Sequence, residues 1–491
     1  MTKKKQTIPV LVATFLLFCG FATPASALSQ KINDPSITRA VQELLTMDQG
    51  AGVNDIHVMT AQKVVTLSGT VNNLLASDRA REIAESIKGV RAVINTLKVV
   101  PPARTDAEIQ KDVMRALVSD PATATREIQV AVSSGEVHLA GAVEYWREKH
   151  LVESVAEGVR GVRHVQDDLR ILYPHIPSDG EIGGAVHDRL ASDALVLNGQ
   201  TLKVRVDHGN VFLSGVVGSA SSRWQAGLDG WVGGVMDVDI AGIVVRDEGI
   251  RQMIRTRASL YYQPDAKIRE SILAALREDP RVHALQPTVL VQNGQVTLTG
   301  MVDHLQAKVA AGRDAVNTIG VLQVNNLLKV QRPNPRPDDA AIATGIKEAW
   351  ARDPSLYGEP LVVSVLAGDA TLQGVVLAPS EKTRARGDAS QVRGVLSVIN
   401  EVTVSSLTNP VNDQILADNV ENRLFWNPFV SGQEIRVTVQ NGVVKLEGTV
   451  GSATESGAAE LAAEAAGARR VDNFLVVVNN QWSYPSSSIE F

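Results

Sequence analysis

The chain has a single cysteine, Cys19, in 491 residues. That excludes a disulfide scaffold, a cysteine zinc site and a Cys-ligated iron–sulfur cluster. Aromatic residues make up only 4%, and 38 Gly with 20 Pro are too few for a collagen-like or low-complexity chain. Basic charge is not in excess: the net charge is −6, which lacks the electrostatic footprint of a general nucleic-acid binder, so no nucleic-acid partner is expected. HExxH pairs, P-loops, GxGxxG turns and GxSxG elbows do not occur, and the nine histidines have no repeated carboxylate or cysteine partners. The sequence therefore predicts no catalytic, metal or cofactor-binding residues and reads as a protein that is not an enzyme.

The one long apolar run lies at the start. Lys3, Lys4 and Lys5 precede an apolar stretch from Ile8 to Phe21, and Ala25-Ser26-Ala27 forms a small-x-small cleavage pattern. Residues 1–27 are expected to be a secretory signal peptide, with the mature chain starting at Leu28. Acylation at Cys19 is the lipoprotein alternative, opposed by the bulky Phe18 before it. Residues 1–27 hold three basic and no acidic residues, so their removal takes the net charge to about −9. A soluble protein of a bacterial periplasm is expected.

What the chain does have is repetition. A Gly closing a short apolar strand recurs at Gly69, Gly141, Gly215, Gly300, Gly374 and Gly448. A second Gly follows each at Gly89, Gly161, Gly234, Gly320, Gly394 and Gly467. An Asp precedes each first Gly: Asp34, Asp106, Asp179, Asp265, Asp339 and Asp413. Three landmarks kept in register six times define six modules of about 70 residues each.

One module reads directly. The Asp is placed to cap a helix, and apolar residues then fall on one helical face, as at Ile109, Val113 and Leu117. Asp120-Pro121, Asp279-Pro280, Asp353-Pro354 and Asn427-Pro428 stop that helix. Two strands follow around a tight turn such as Asn441-Gly442. Lys63 stands where the other modules have the turn Gly, so strain or a different turn is expected there. A second helix comes next, with the second landmark Gly as a left-handed C-cap, and a third strand closes the unit. The expected fold is α+β: six tandem αββαβ modules, each with two helices on a three-stranded mixed sheet and each with its own core. A β-branched side chain at Gly448 is expected to intrude on the packed helix. Module three carries Gly227, Gly230 and Gly233 in its second helix, and module five carries Gly387 and Asp388 there; both are expected to be less stable.

The pattern resembles the BON domain of bacterial envelope proteins. The residues that carry the resemblance are the V-x-L-x-G strand and a later G-V-x-x-V-x-N/D stretch. Examples are Val65 to Gly69 with Gly89, Val90, Val93 and Asn95, and Val296 to Gly300 with Gly320, Val321, Val324 and Asn325. The modules are expected at 33–101, 104–174, 178–245, 264–331, 338–405 and 411–478, with an insert at 246–263 and a tail at 479–491. The resemblance implies contact with phospholipid membranes and a part in envelope integrity or osmotic-stress protection; six copies imply multivalency. The alternative is a periplasmic scaffold or spacer that binds envelope proteins, which the acidic charge favours.

The insert is the one irregularity. It places Arg251, Arg255 and Arg257 beside Tyr261 and Tyr262 in an acidic chain, and those five residues are the candidate lipid contact. A linker helix between two halves of three modules is the plainer reading of the same segment.

Overall fold

The computed structural model describes residues 32–48, 55–124, 127–173, 175–246, 263–282, 287–333, 335, 337–405, 412–430 and 435–478. Two helices fall in each repeat. They are α1 (Asp34–Asp48) and α2 (Leu74–Glu85), α3 (Asp106–Ser119) and α4 (Trp146–Glu157), α5 (Asp179–Ser192) and α6 (Ala220–Asp229). The second half has α7 (Asp265–Glu278) and α8 (Leu305–Val316), α9 (Asp339–Arg352) and α10 (Pro379–Gln391), α11 (Asp413–Trp426) and α12 (Ala453–Ala465). In every module the second strand is central, antiparallel to the first and parallel to the third. The second helix is the crossover between the two parallel strands. This is the α+β, αββαβ unit that the periodicity predicts.

The first helices bury their i, i+4, i+8 stripes, including Ile109, Val113, Leu117, Ile268, Ile272 and Leu276. They stop before the prolines as expected: Asp120, Asp279, Asp353 and Asn427 all take extended ψ angles. Each of these four then accepts the N–H two residues on through its side chain, an Asx turn that sharpens the stop.

The repeated Asp has a different task from the one its position suggests. It is the first residue of its helix, and where a side chain caps that helix it belongs to the residue before, such as Thr105, Ser178 or Asp338. The Asp carboxylate instead accepts both amides of its module's hairpin turn. Asp106 holds Ser134 and Gly135 at 2.9 Å each, and Asp34, Asp179, Asp265, Asp339 and Asp413 repeat the arrangement. The Gly209 and His208 amides hold the Asp179 carboxyl below the usual carboxylate range. Both turn residues have positive φ in every module, Lys63 of module one included, at 63°. Lys63 thus adopts the common turn at some backbone cost. Asp106→Ala is expected to cost about 1–3 kcal/mol, the worth of charge-assisted bonds, and to strip hydrogen-exchange protection from the Ser134 and Gly135 amides.

Landmark glycines Gly69, Gly141 and Gly374 also answer to the hairpin rather than to the helix. A Cβ at Gly69 would stand 1.7 Å from the Asp55 carbonyl oxygen, and one at Gly374 2.3 Å from that of Pro360. In modules one and five the space is closed by backbone at the start of the first strand, not by the packed helix, whereas a Cβ at Gly300 would meet nothing nearer than 3.8 Å. The second glycines do take positive φ. In module one the helix ends at Glu85 with Ser86 as its C-cap, and Gly89 lies in the turn that follows. Only in module six does the Gly, Gly467, directly follow the C-cap residue, Ala466.

Six hydrophobic clusters form, one per module, but they are interlocked. The module-one core takes in Trp426 of module six and Ala220 of module three, and the module-four core takes in Ala453 of module six.

Candidate functional site

The modules dock through one repeated contact. In modules one, two and four the residue before the second landmark Gly donates its backbone N–H to the last carbonyl of another module's first helix. Lys88 donates to Trp426, Arg160 to Arg352 and Ile319 to Ser192, each at 2.8 Å. Modules are thereby paired one with six, two with five and three with four. In these three modules the turn between the second helix and its Gly makes this contact. Further links strengthen each pair: Lys88 Nζ donates to the Val430 carbonyl at 2.9 Å, the Arg160 guanidinium lies 3.4 Å over the Tyr357 ring, and Ala194 N donates to the Asn317 carbonyl at 2.8 Å.

The second helices and the turns that follow them close two triangles. In the first, Arg81 lies 4.4 Å over Trp224, joining modules one and three. Trp146 stacks on Trp231 at 4.7 Å, joining two and three, and Leu74 of module one packs against the core of module two. In the second, Gln306 Nε2 donates to Gly387 O at 3.0 Å, Lys382 Nζ to Arg469 O at 3.3 Å and Thr454 Oγ1 to Val316 O at 2.9 Å. The chain is thus two three-module triangles stacked with their order reversed.

Between them lies a chamber of about 1220 Å³ lined by all six modules. Trp146, Trp224, Trp231 and Tyr357 supply aromatic wall. The lining arginines are mostly committed to carboxylates: Arg79 to Asp48 at 2.8 Å, Arg81 to Glu85 at 2.9 Å, and Arg384 to Asp353. Negative charge is less well matched. Asp78, Glu153 and Glu157 gather where α2 meets α4, with His150 3.5 Å from Glu153. Burial, then the neighbouring carboxylates Asp78 and Glu153, push Glu157 up to about 7. Burial likewise raises Asp78 and Glu359.

A carboxyl whose folded pKa is raised stabilises the fold below its unfolded value near 4.5 and loses that contribution as pH rises to about 7. Glu157→Gln is expected to raise stability at pH 8 by about 1–2 kcal/mol, less than the full shift implies because solvent screens part of it. At pH 4.5 the variant and parent should melt together.

Buried polar clusters flank the chamber at the pair contacts. Arg189 donates to Asp229 at 3.2 Å and across to Glu278 at 2.9 Å, with Gln225 bridging Asp193 and Asp229. Burial, then the Asp229 charge, raises Asp193 well above the usual carboxylate range. Asp388, the polar residue in the second helix of module five, is buried between Arg384 and Asp353. The glycines of module three's second helix leave α6 ten residues long, with Gly230 as its C-cap.

The predicted lipid-contact residues Arg251, Arg255, Arg257, Tyr261 and Tyr262 lie outside the described residues, as do residues 1–31. The six landmark glycines are spread one to a module and form no common site. Among the described residues no cluster of three or more His, Cys, Asp or Glu could hold a metal ion, and no helix is long and apolar enough to cross a membrane. Sequence reasoning did not find the chamber. Its signal was charge at second-helix positions that face a core elsewhere, as at Arg79, Arg384 and Asp388.

The repeated module itself has known relatives. The BON domain matches the chain six times, at residues 33–101, 105–173, 178–247, 264–332, 338–406 and 412–479. Osmotically-inducible protein Y of Escherichia coli (strain K12) is 31% identical over 146 residues, 28% of this chain and 73% of that protein. The outer membrane lipoprotein DolP of Haemophilus influenzae is 30% identical over 138 residues, 27% of this chain and 72% of its own. Among solved structures, the C-terminal domain of CdsD, the structural protein of the type III secretion system of Chlamydia trachomatis, aligns over 44% of this chain and 99% of its own. Its sequence identity is 16% and its TM-score 0.12. With six matches across most of its length, the chain belongs to the BON domain family.

Proposed function

We propose that the protein is a non-enzymatic component of the bacterial cell envelope, exported to the periplasm, that binds phospholipid surfaces at several points and helps the envelope withstand osmotic stress. The names of its relatives support the setting: one is osmotically inducible and the other an outer membrane lipoprotein. The observation that carries the binding is the helix-free face of the sheets. Modules four to six expose Leu290, Val362, Leu366, Ile399, Phe474 and Val476 there, between about half and four-fifths accessible. The equivalent face of module two presents Ser133, Gln166 and Asp168 instead. Soluble single proteins seldom expose apolar groups in such repeated sets, and docking fixes the three sheets on one body, so several weak contacts act together. The insert supplies the basic component, since each arginine near an anionic surface contributes about 1 kcal/mol.

Sedimentation with phosphatidylglycerol vesicles tests this. Leu366→Ser with Phe474→Ser is expected to weaken binding at all salt concentrations. Arg251→Ala, Arg255→Ala and Arg257→Ala together are expected to weaken it about a hundredfold at low salt only. Failure of the parent to sediment with vesicles would discard the lipid reading in favour of a scaffold for envelope proteins.

A further inference from the structure

In modules three, four and five the Asp that ends the first helix faces an Asp of the second helix 35 or 36 residues on. The pairs are Asp193 with Asp229, Asp279 with Asp314, and Asp353 with Asp388. Modules one, two and six have Ile83, Ala84, Val155, Ala156, Ala462 and Ala463 at the second-helix positions instead. Asp229, Asp279, Asp353 and Asp388 are buried. Pair members share donors: Gln225 Nε2 donates to Asp193 at 2.9 Å and to Asp229 at 3.3 Å, and Arg384 Nε reaches both Asp353 and Asp388. Asp193 is hydrogen-bonded to Asp229, and Asp388 to Asp353. Two carboxyls form such a bond only while one of them keeps its proton.

The pairs sit at two of the three docking contacts. Ser192 and Arg352, whose carbonyls receive the Ile319 and Arg160 amides, directly precede Asp193 and Asp353. Thr318 bridges to Asp193 and bonds the Asp314 carbonyl at 2.9 Å. Around the three–four contact Asp193, Asp229, Glu278, Asp279 and Asp314 face only Arg147, Arg189 and Arg313. At the two–five contact Asp353 and Asp388 face Arg384 and Arg352, and Arg352 also answers Glu348 and Asp112 while Arg115 repels it. The one–six contact has the opposite balance. Asp48 stands between Arg79 and Arg423, with Lys88 across the junction.

We propose that the three Asp pairs are a proton latch: with a proton on each, the two triangles close over the chamber, and loss of those protons as pH rises releases the three–four and two–five contacts while the one–six contact holds as a hinge. Burial, then the Asp279 charge, raises Asp314 to about 7. Burial, then the partner carboxylate, raises Asp193 and Asp388 well above the usual carboxylate range. A carboxyl raised on folding stabilises the closed body below its unfolded value near 3.8 and forfeits that contribution as pH rises through its folded value, about 7 for Asp314. Burial lowers Arg423 only to about 10, so the hinge keeps its charge at pH 9. The latch rests on the docking geometry and not on the lipid reading.

The test is hydrogen exchange of the full chain at pH 6 and pH 9, corrected for the intrinsic rate at each pH. Between the two, protection of the Ile319 and Arg160 amides is expected to fall about tenfold or more, while the Lys88 amide keeps its protection. Asp193→Asn, Asp314→Asn and Asp388→Asn together should hold both contacts closed at pH 9, because a carboxamide donates where the protonated carboxyl does. Should that variant fail to fold at pH 6 by circular dichroism, Asp388→Asn alone is read at the Arg160 amide. Glu157→Gln, which neutralises a raised carboxyl outside the pairs, should open like the parent. The latch is overturned by equal protection of the parent at both pH values, or by equal loss in the Asn variants. Loss at Lys88 in step with the others would mean unfolding of the whole chain and would overturn it as well. So would a Glu157→Gln chain that stays closed, which would move the switch to the α2–α4 carboxylates.

Discussion

Trp426→Ala is expected to loosen two modules with one substitution. Trp426 ends the first helix of module six, yet its side chain is 2% exposed and belongs to the module-one core beside Ile37 and Leu44. Its carbonyl also receives the Lys88 amide at 2.8 Å. Truncating a buried tryptophan costs about 3–5 kcal/mol through lost contacts and the cavity left behind. Hydrogen exchange should show the loss in both modules: faster exchange in α1 and the 64–71 strand as well as in α11. Modules two and five, paired by their own Arg160–Arg352 contact, should keep their protection longest. Exchange confined to module six would mean that the cores are independent and that the docking is incidental.

Arg189→Ala should have an effect of similar size with the opposite character, since it strands charge rather than opening a void. Arg189 is the shared cation between Asp229 of its own module and Glu278 of module four. Asp229 is fully buried and also faces Arg147 at 3.6 Å from module two. Removing one partner of a buried ionic group costs about 3–5 kcal/mol, because the remaining charge has lost its compensation. The penalty should depend on pH. Asp193 is already raised above the usual carboxylate range by burial and by Asp229, and losing Arg189 raises it further. A carboxyl raised on folding favours the folded state below its unfolded pKa and forfeits that contribution as pH rises. Chemical denaturation should therefore show a wide gap between variant and parent at pH 8 and a narrow one at pH 5. A gap independent of pH would assign the loss to packing alone.

These two residues also show where sequence reading stops. The module itself was legible, because each of its parts has a local cause. Apolar spacing at Ile109, Val113 and Leu117 makes one helical face, prolines end the helix, and Asn441-Gly442 closes a hairpin. The task of the repeated Asp was not legible. Its carboxylate reaches a turn 28 and 29 residues away, and a residue at a helix start reads as a cap until that fold-back is seen. The docking was hidden for a related reason. Trp426 sits on a helix whose inward stripe is Leu416, Val420 and Leu424, and nothing in the spacing says that a further residue serves another module. Asp388 reads as a weak point of the module-five helix. In the folded chain it shares a buried cluster with Arg384 and Asp353 beside module two.

The account rests most heavily on the closure of six modules into one body, and small-angle X-ray scattering of the full chain tests that directly. A compact chain of this length has a radius of gyration of about 22–25 Å, and the stacked triangles predict a value in that range with a single-peaked distance distribution. Six modules strung along flexible linkers would give a radius above about 35 Å with a long tail in the distribution, and that result would contradict both the docking and the chamber.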